Sequence, residues 1–239
     1  MPPPRPATLT ACVLAALALA GCGGGGDEAP APAQPGIDAQ PAGVYRYSTE
    51  GFERIGGPLP GRLRYPAVTT ITVRTSGCTL SERWEARQER YAEWRYCITG
   101  STWQLRSVLD FHEFFGNVER RAYRCRGHAV PRPDRIDAGF RWTDRCRAGE
   151  TAAVARGVVL AIEDVTVRGR RIPAVHLRVR TQLSGDVRGA YTMESWLRRS
   201  DGLLLRRSFG SDSLVDSVVG RVPAHEEYEL RLRSTNPRE

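Results

Sequence analysis

"CTLSERWEARQERYAEWRYCITG", Cys78 to Gly100, is the stretch on which the fold turns. Its Glu, Arg and Ala content favours helix, but its apolar residues recur with a period of two. Leu80, Glu82, Trp84 and Ala86 fall on one face of an extended chain. Ala92, Trp94, Tyr96 and Ile98 share a face opposite Glu93 and Arg95. Such alternation, one face apolar and the other charged, marks antiparallel strands with one wet side.

The same pattern extends outward in both directions. "AVTTITVRTSG" precedes it, and "TWQLRSVLDFHEFFG" follows with Trp103, Leu105, Leu109, Phe111 and Phe115 in phase. "VERRAYRCRG", "GFRWTDRCRAG", "TAAVARGVVLAIEDVTV", "IPAVHLRVRTQLSG", "AYTMESWLRRS", "GLLLRRSFGS" and "HEEYELRLRS" continue it, separated by turn signals such as "RGRR", "SGD" and "SDG". No segment sustains helical periodicity, and no break in composition divides residues 44–239. The expectation is a mainly β protein with few helices: one antiparallel β domain over 44–239 with about ten strands. That is too many for a flat sheet, so it should curl into a single curved sheet (a half-barrel) or fold into two layers.

The N-terminus carries a different signal. Arg5 is the only charge before an apolar run from Ala7 to Ala20, shorter than the roughly 20 residues of a spanning helix. It ends in "LAGC", Leu19 to Cys22, which resembles the lipobox of bacterial lipoproteins. The resemblance implies a lipoprotein signal peptide over residues 1–21, cleavage before Cys22, and acylation of the Cys22 thiol. The protein would then be lipid-anchored at the cell membrane on its extracytoplasmic face, with two acyl chains giving stable attachment. The Gly/Pro/Ala-rich residues 22–43 read as a disordered tether. Gly21, Gly23 and Gly26 also satisfy G-x-G-x-x-G, but no strand and helix flank them as a dinucleotide site requires.

The formal net charge is +8, from 35 basic and 27 acidic residues, and every basic residue is arginine. The arginines alternate with acids and form no dense phosphate-tracking block, so nucleic acid is not an expected partner. Apart from Cys12 in the apolar run and Cys22, four cysteines remain: Cys78, Cys97, Cys125 and Cys146. An even number in an exported chain points to disulfides. Three pairings exist; Cys78–Cys97 and Cys125–Cys146 is the expected one, because each pair brackets a local strand-turn-strand.

No catalytic constellation, cofactor motif or metal-ligand spacing is present. His112, His128, His176 and His225 are scattered; there is no C-x-x-C, H-E-x-x-H or G-x-S-x-G. Trp84, Trp94, Trp103, Trp142 and Trp196 are candidates to line a ligand pocket, although core aromatics fit the same pattern. "ESWLRRSDGLLLRR", Glu194 to Arg207, resembles a hairpin of LolA-like and LppX/LprG-like envelope lipoproteins through Trp196, Gly202, Leu203, Leu205 and Arg206. That resemblance implies a curved antiparallel sheet closed by helices around an apolar cavity for acyl chains. The expected function is a non-catalytic envelope protein binding a lipid or other apolar ligand. The alternative is an interaction lipoprotein docking an envelope protein or anionic wall polymer through its Arg-rich sheet face.

Overall fold

The computed structural model describes residues 40–56, 61–114, 117–217 and 220–237. The expectations for the signal peptide, for Cys12 and Cys22, and for nearly all of the tether lie outside these residues, as does Phe115. The compact unit beginning at Ile37 carries fourteen strands. They are β1 (Gly43–Ile55), β2 (Gly61–Arg64), β3 (Val68–Ser76), β4 (Thr79–Arg87), β5 (Arg90–Thr99), β6 (Thr102–Phe114) and β7 (Asn117–Arg126). There follow β8 (Ala129–Pro131), β9 (Arg141–Ala148), β10 (Thr151–Val167), β11 (Arg170–Ser184), β12 (Val187–Arg198), β13 (Leu204–Ser217) and β14 (Gly220–Leu232). There is no helix among the described residues, so the strands alone, rather than the helices implied by the hairpin resemblance, enclose the interior.

The sheet is a meander in which each long strand pairs antiparallel with its neighbour in sequence. β1 also pairs with β14, from Tyr47 opposite Leu232 to Ile55 opposite Ala224. That seam closes twelve strands into a barrel, so the curved sheet expected from the sequence curls all the way round. Closure satisfies the edges that a half-barrel would leave open. The short β2 and β8 stand off this path, extending the lines of β3 along β1 and of β7 along β6. With four and three residues, neither is long enough to announce itself by alternation. The β7–β9 pairing is the shortest in the ring, covering only Arg124–Arg126 against Arg145–Arg147. Above it, Asn117–Tyr123 pairs with β6 alone.

Alternation places the side chains. Leu80, Glu82, Trp84 and Ala86 are all buried inward, as their spacing predicts, whereas Arg74, Arg95, Arg124, Arg145, Arg156 and Arg180 are exposed on the outer face. β6 departs from the expected phase. The register against β5 slips between Arg95 opposite Ser107 and Tyr96 opposite Leu105, leaving Arg106 as an extra residue. A bulge of this kind shifts the alternation by one. Trp103 and Leu105 therefore face the interior with Val108, Asp110 and His112, while Leu109 and Phe111 take the outer face. There the Phe111 ring stacks on Tyr91 at 4.5 Å.

The end of the barrel where β1 begins and β14 finishes is solid. Tyr45, Tyr47, Ile71, Leu80, Trp84 and Leu230 are fully buried there, in one cluster with Leu203, Leu204 and Leu205, where the β12–β13 connection enters β13. Three consecutive leucines are buried because the register of β12 and β13 is irregular at Trp196/Leu197, where the turn abandons strict alternation. Each such leucine contributes about 1.5–3 kcal/mol relative to an exposed one. The plug is fastened by the Tyr47 hydroxyl, which donates to the Leu204 carbonyl at 2.8 Å, and by Asp201, which accepts from the Leu203 amide at 3.1 Å. Gly202 adopts φ +81°, and a Cβ there would lie 2.0 Å from the Trp103 ring, so only glycine permits this close turn.

Candidate ligand cavity

Above the leucine plug the barrel is hollow. A cavity of about 270 Å³ runs toward the end where β1 stops at Ile55 and β13 at Ser217. Its two walls differ in chemistry. Strands β10 to β13 supply an apolar wall that includes Ala155, Val179, Leu183, Val187, Met193 and Phe209. Strands β1, β5, β6 and β14 supply a polar wall with Glu53, Arg90, Asp110, His112 and Glu226.

The polar wall is a chain of alternating charges. Arg87 pairs with Glu53, and Glu53 lies 3.3 Å from His112. His112 Nε2 lies 3.2 Å from Asp110, whose other oxygen accepts from Arg90 Nη1 at 2.7 Å. Arg90 then grips Glu226, which also accepts from the Tyr65 hydroxyl at 2.5 Å. Burial and Arg90 both push His112 down, but Asp110 and Glu53 outweigh them and raise it to about 9. Burial opposes the charge on Asp110 as well; Arg90 and His112 nevertheless hold its carboxyl well below the usual range. Each carboxylate of this chain has a cationic neighbour, which is what allows charge to remain in a low-dielectric interior.

A second buried pair sits deeper, on β4 and β13. Arg207 and Glu82 are each 3% exposed, with Nη2 and Oε2 3.7 Å apart, too far for a hydrogen bond. The Arg207 guanidinium lies 4.5 Å over the Trp94 ring, and its Nε donates to Ser195 Oγ at 3.3 Å. Burial pushes the Glu82 carboxyl up despite the pull of Arg207.

Of the five tryptophans singled out from the sequence, Trp94, Trp103 and Trp142 line the cavity. Trp84 is in the solid core, its indole N–H donating to Thr69 at 3.0 Å and its rings packed on Tyr65 and Tyr228. Trp196 lies between Ser195 and Leu197, which line the cavity, and takes the opposite face. It stacks on His176 at 4.0 Å and donates to Glu163 at 2.6 Å, so it is no part of the pocket. Trp142 lies in a space kept clear by Gly157, where a Cβ would sit 2.1 Å from the indole.

Both expected disulfides are formed. Cys78–Cys97 joins the β3–β4 turn to β5, and Cys125–Cys146 bridges directly opposed residues of β7 and β9. The proposed lipidation site, Cys22, lies outside the described residues. Among the described residues no cluster of His, Cys, Asp and Glu has the arrangement of a metal site. His112, His128 and His225 all border the cavity although they are far apart in sequence. The residues that sequence reasoning missed are the interior charges, above all Arg90, Arg207 and Glu226. Their signal was available in phase: Glu82 alternates with Leu80 and Trp84, and Arg90 with Ala92 and Trp94. No known protein family matches the chain, and neither does any curated protein or solved structure.

Proposed function

We propose that this chain is a non-catalytic binding protein of the bacterial envelope that holds an apolar ligand inside its barrel and is tethered to the membrane through acylated Cys22. The observation that carries the reading is the hollow interior: a closed barrel with a mostly apolar wall on β10 to β13 and a solid floor. Ligand sites are characteristically concave, mostly apolar and furnished with a few placed polar groups. The charges on the polar wall are engaged with one another, which suits a rigid container better than a reaction centre. The outer surface favours a barrel that stands in water. Arginines are exposed on β3, β5, β7, β9, β10 and β11, where a lipid-facing barrel would carry an apolar band.

Two measurements test the reading. Native mass spectrometry of the barrel unit from Ile37, purified without detergent, should show a non-covalent adduct that organic extraction removes. Repeated preparations with no adduct, and no uptake of an added apolar fluorophore, would overturn the binding role. The anchor is tested separately by metabolic labelling with a fatty acid. Label should be lost in Cys22→Ser, and its persistence would refute acylation at that thiol.

A further inference from the structure

Arg207 is held less completely than Arg90. Arg90 donates to both oxygens of Glu226, to Asp110 and to the carbonyls of Tyr91 and Phe111. Arg207, equally buried, has an Nη1 with no hydrogen-bond partner and a nearest carboxylate, Glu82, beyond hydrogen-bond distance. A buried donor left unsatisfied costs about 1–3 kcal/mol, and a guanidinium is a planar fork shaped to hold two oxygens at once. Arg207 lines the cavity beside Trp94 and Ser195, with the apolar side chains of Met193 and Phe209 at the next cavity-lining positions of β12 and β13. Glu82 offsets the positive charge of Arg207 without hydrogen-bonding it, so an anionic ligand head would compete with that carboxyl.

We propose that Arg207 receives the anionic head, a carboxylate or phosphate monoester, of a single-chain amphiphile whose tail lies along the apolar wall of β10 to β13. The inference rests on the apolar-ligand reading above and adds a head-down orientation to it. The head would complete the bonding of Nη1 beside Ser195 Oγ, and the Trp94 face would shield the ion pair from water. A cavity of about 270 Å³ is at the small end of ligand pockets, which suits one chain better than a pair.

The test is calorimetric titration of the extracted barrel unit with dodecanoate, dodecyl phosphate and dodecanol. The anions should bind roughly ten- to hundredfold tighter than the alcohol, as expected for a charge-assisted bond. The tighter of the two anions identifies the natural head. Arg207→Met should bring anions and alcohol to equal affinity. Because that variant leaves Glu82 buried and could disturb folding, Glu82→Gln provides an independent arm: removing the competing carboxyl should strengthen anion binding severalfold. Equal binding of all three ligands by the unmodified protein, an anion preference that survives in folded Arg207→Met, or weakened anion binding in Glu82→Gln would each overturn the proposal. Failure of all three ligands to bind would instead defeat the apolar-ligand reading on which it stands.

Discussion

Arg90 on β5 and Glu226 on β14 meet fork to fork, Nε to Oε1 at 3.2 Å and Nη2 to Oε2 at 3.1 Å, although three strands of the wall separate them. The bond is a chord through the barrel rather than a link along its wall. It fastens β14, the last strand, to the first half of the chain, next to the β1–β14 seam that makes the sheet a closed ring. Loop closure over so long a separation is entropically costly, and the chord helps hold what the seam brings together.

Removing one end of the chord should cost more than the chord itself contributes. Arg90→Met leaves Glu226 buried without its cation and Asp110 with His112 alone, and urea denaturation should show a loss of about 3–5 kcal/mol. The double variant Arg90→Met/Glu226→Leu should recover much of that loss. Strictly additive losses would show that the two residues do not act as a pair.

Stability should fall on the alkaline side through His112. Its folded pKa, about 9, lies above the ordinary value of 6.5, so the imidazolium contributes fully below pH 6.5 and its contribution fades as pH rises through 9. Asp110 acts in the opposite sense: its depressed carboxyl contributes above its ordinary pKa near 3.8 and loses that contribution only in strong acid. Denaturation at pH 6.5 and pH 9.5 should therefore differ by on the order of a few kcal/mol, a difference absent in His112→Gln. An NMR titration placing His112 near 6.5 would sink this explanation.

The Cys125–Cys146 disulfide should matter locally as well as globally. It sits in the shortest pairing of the ring, and a crosslink spanning 21 residues is worth about 3 kcal/mol in the chain-entropy account. Replacing both cysteines by alanine should lower the melting temperature and speed amide exchange along Arg124–Arg126. Removing Cys78–Cys97 should lower stability without that local effect. Equal exchange in the two variants would mean that the β7–β9 seam does not depend on its bridge.

Gly157 should be intolerant of any side chain. A Cβ would overlap the Trp142 indole, so Gly157→Val must push that ring into the cavity. The expected result is a destabilisation of about 1–3 kcal/mol with altered near-ultraviolet circular dichroism. Unchanged tryptophan signals would show that the ring relaxes elsewhere.

The strands were legible because alternation is a local property. "TLSERWEAR" and "YAEWRYCIT" each declare their buried face within nine residues, and the two disulfides followed from local brackets. Closure was not legible, since it depends on β1 meeting β14 from opposite ends of the chain. The phase error in β6 arose because one bulged residue, Arg106, carries no compositional mark. Trp196 shows a related limit of alternation: an aromatic ring is buried by whatever covers it, and His176 covers this one on the outer face. The interior charges looked like surface residues because composition does not say which carboxylates will meet an arginine within the fold.

The stretch of β7 from Asn117 to Tyr123, which pairs with β6 alone, has a consequence for how molecules of this protein meet each other. A strand with one free side offers unpaired amides and carbonyls to any other strand, including the same stretch of a second copy. Val118, 61% exposed, adds an apolar foothold. Along this stretch, however, stand Glu119, Arg120 and Arg121, with Arg124 just beyond. Arg120 and Arg124 are exposed on the outer face here, and such charges along a free strand edge discourage the docking of another strand.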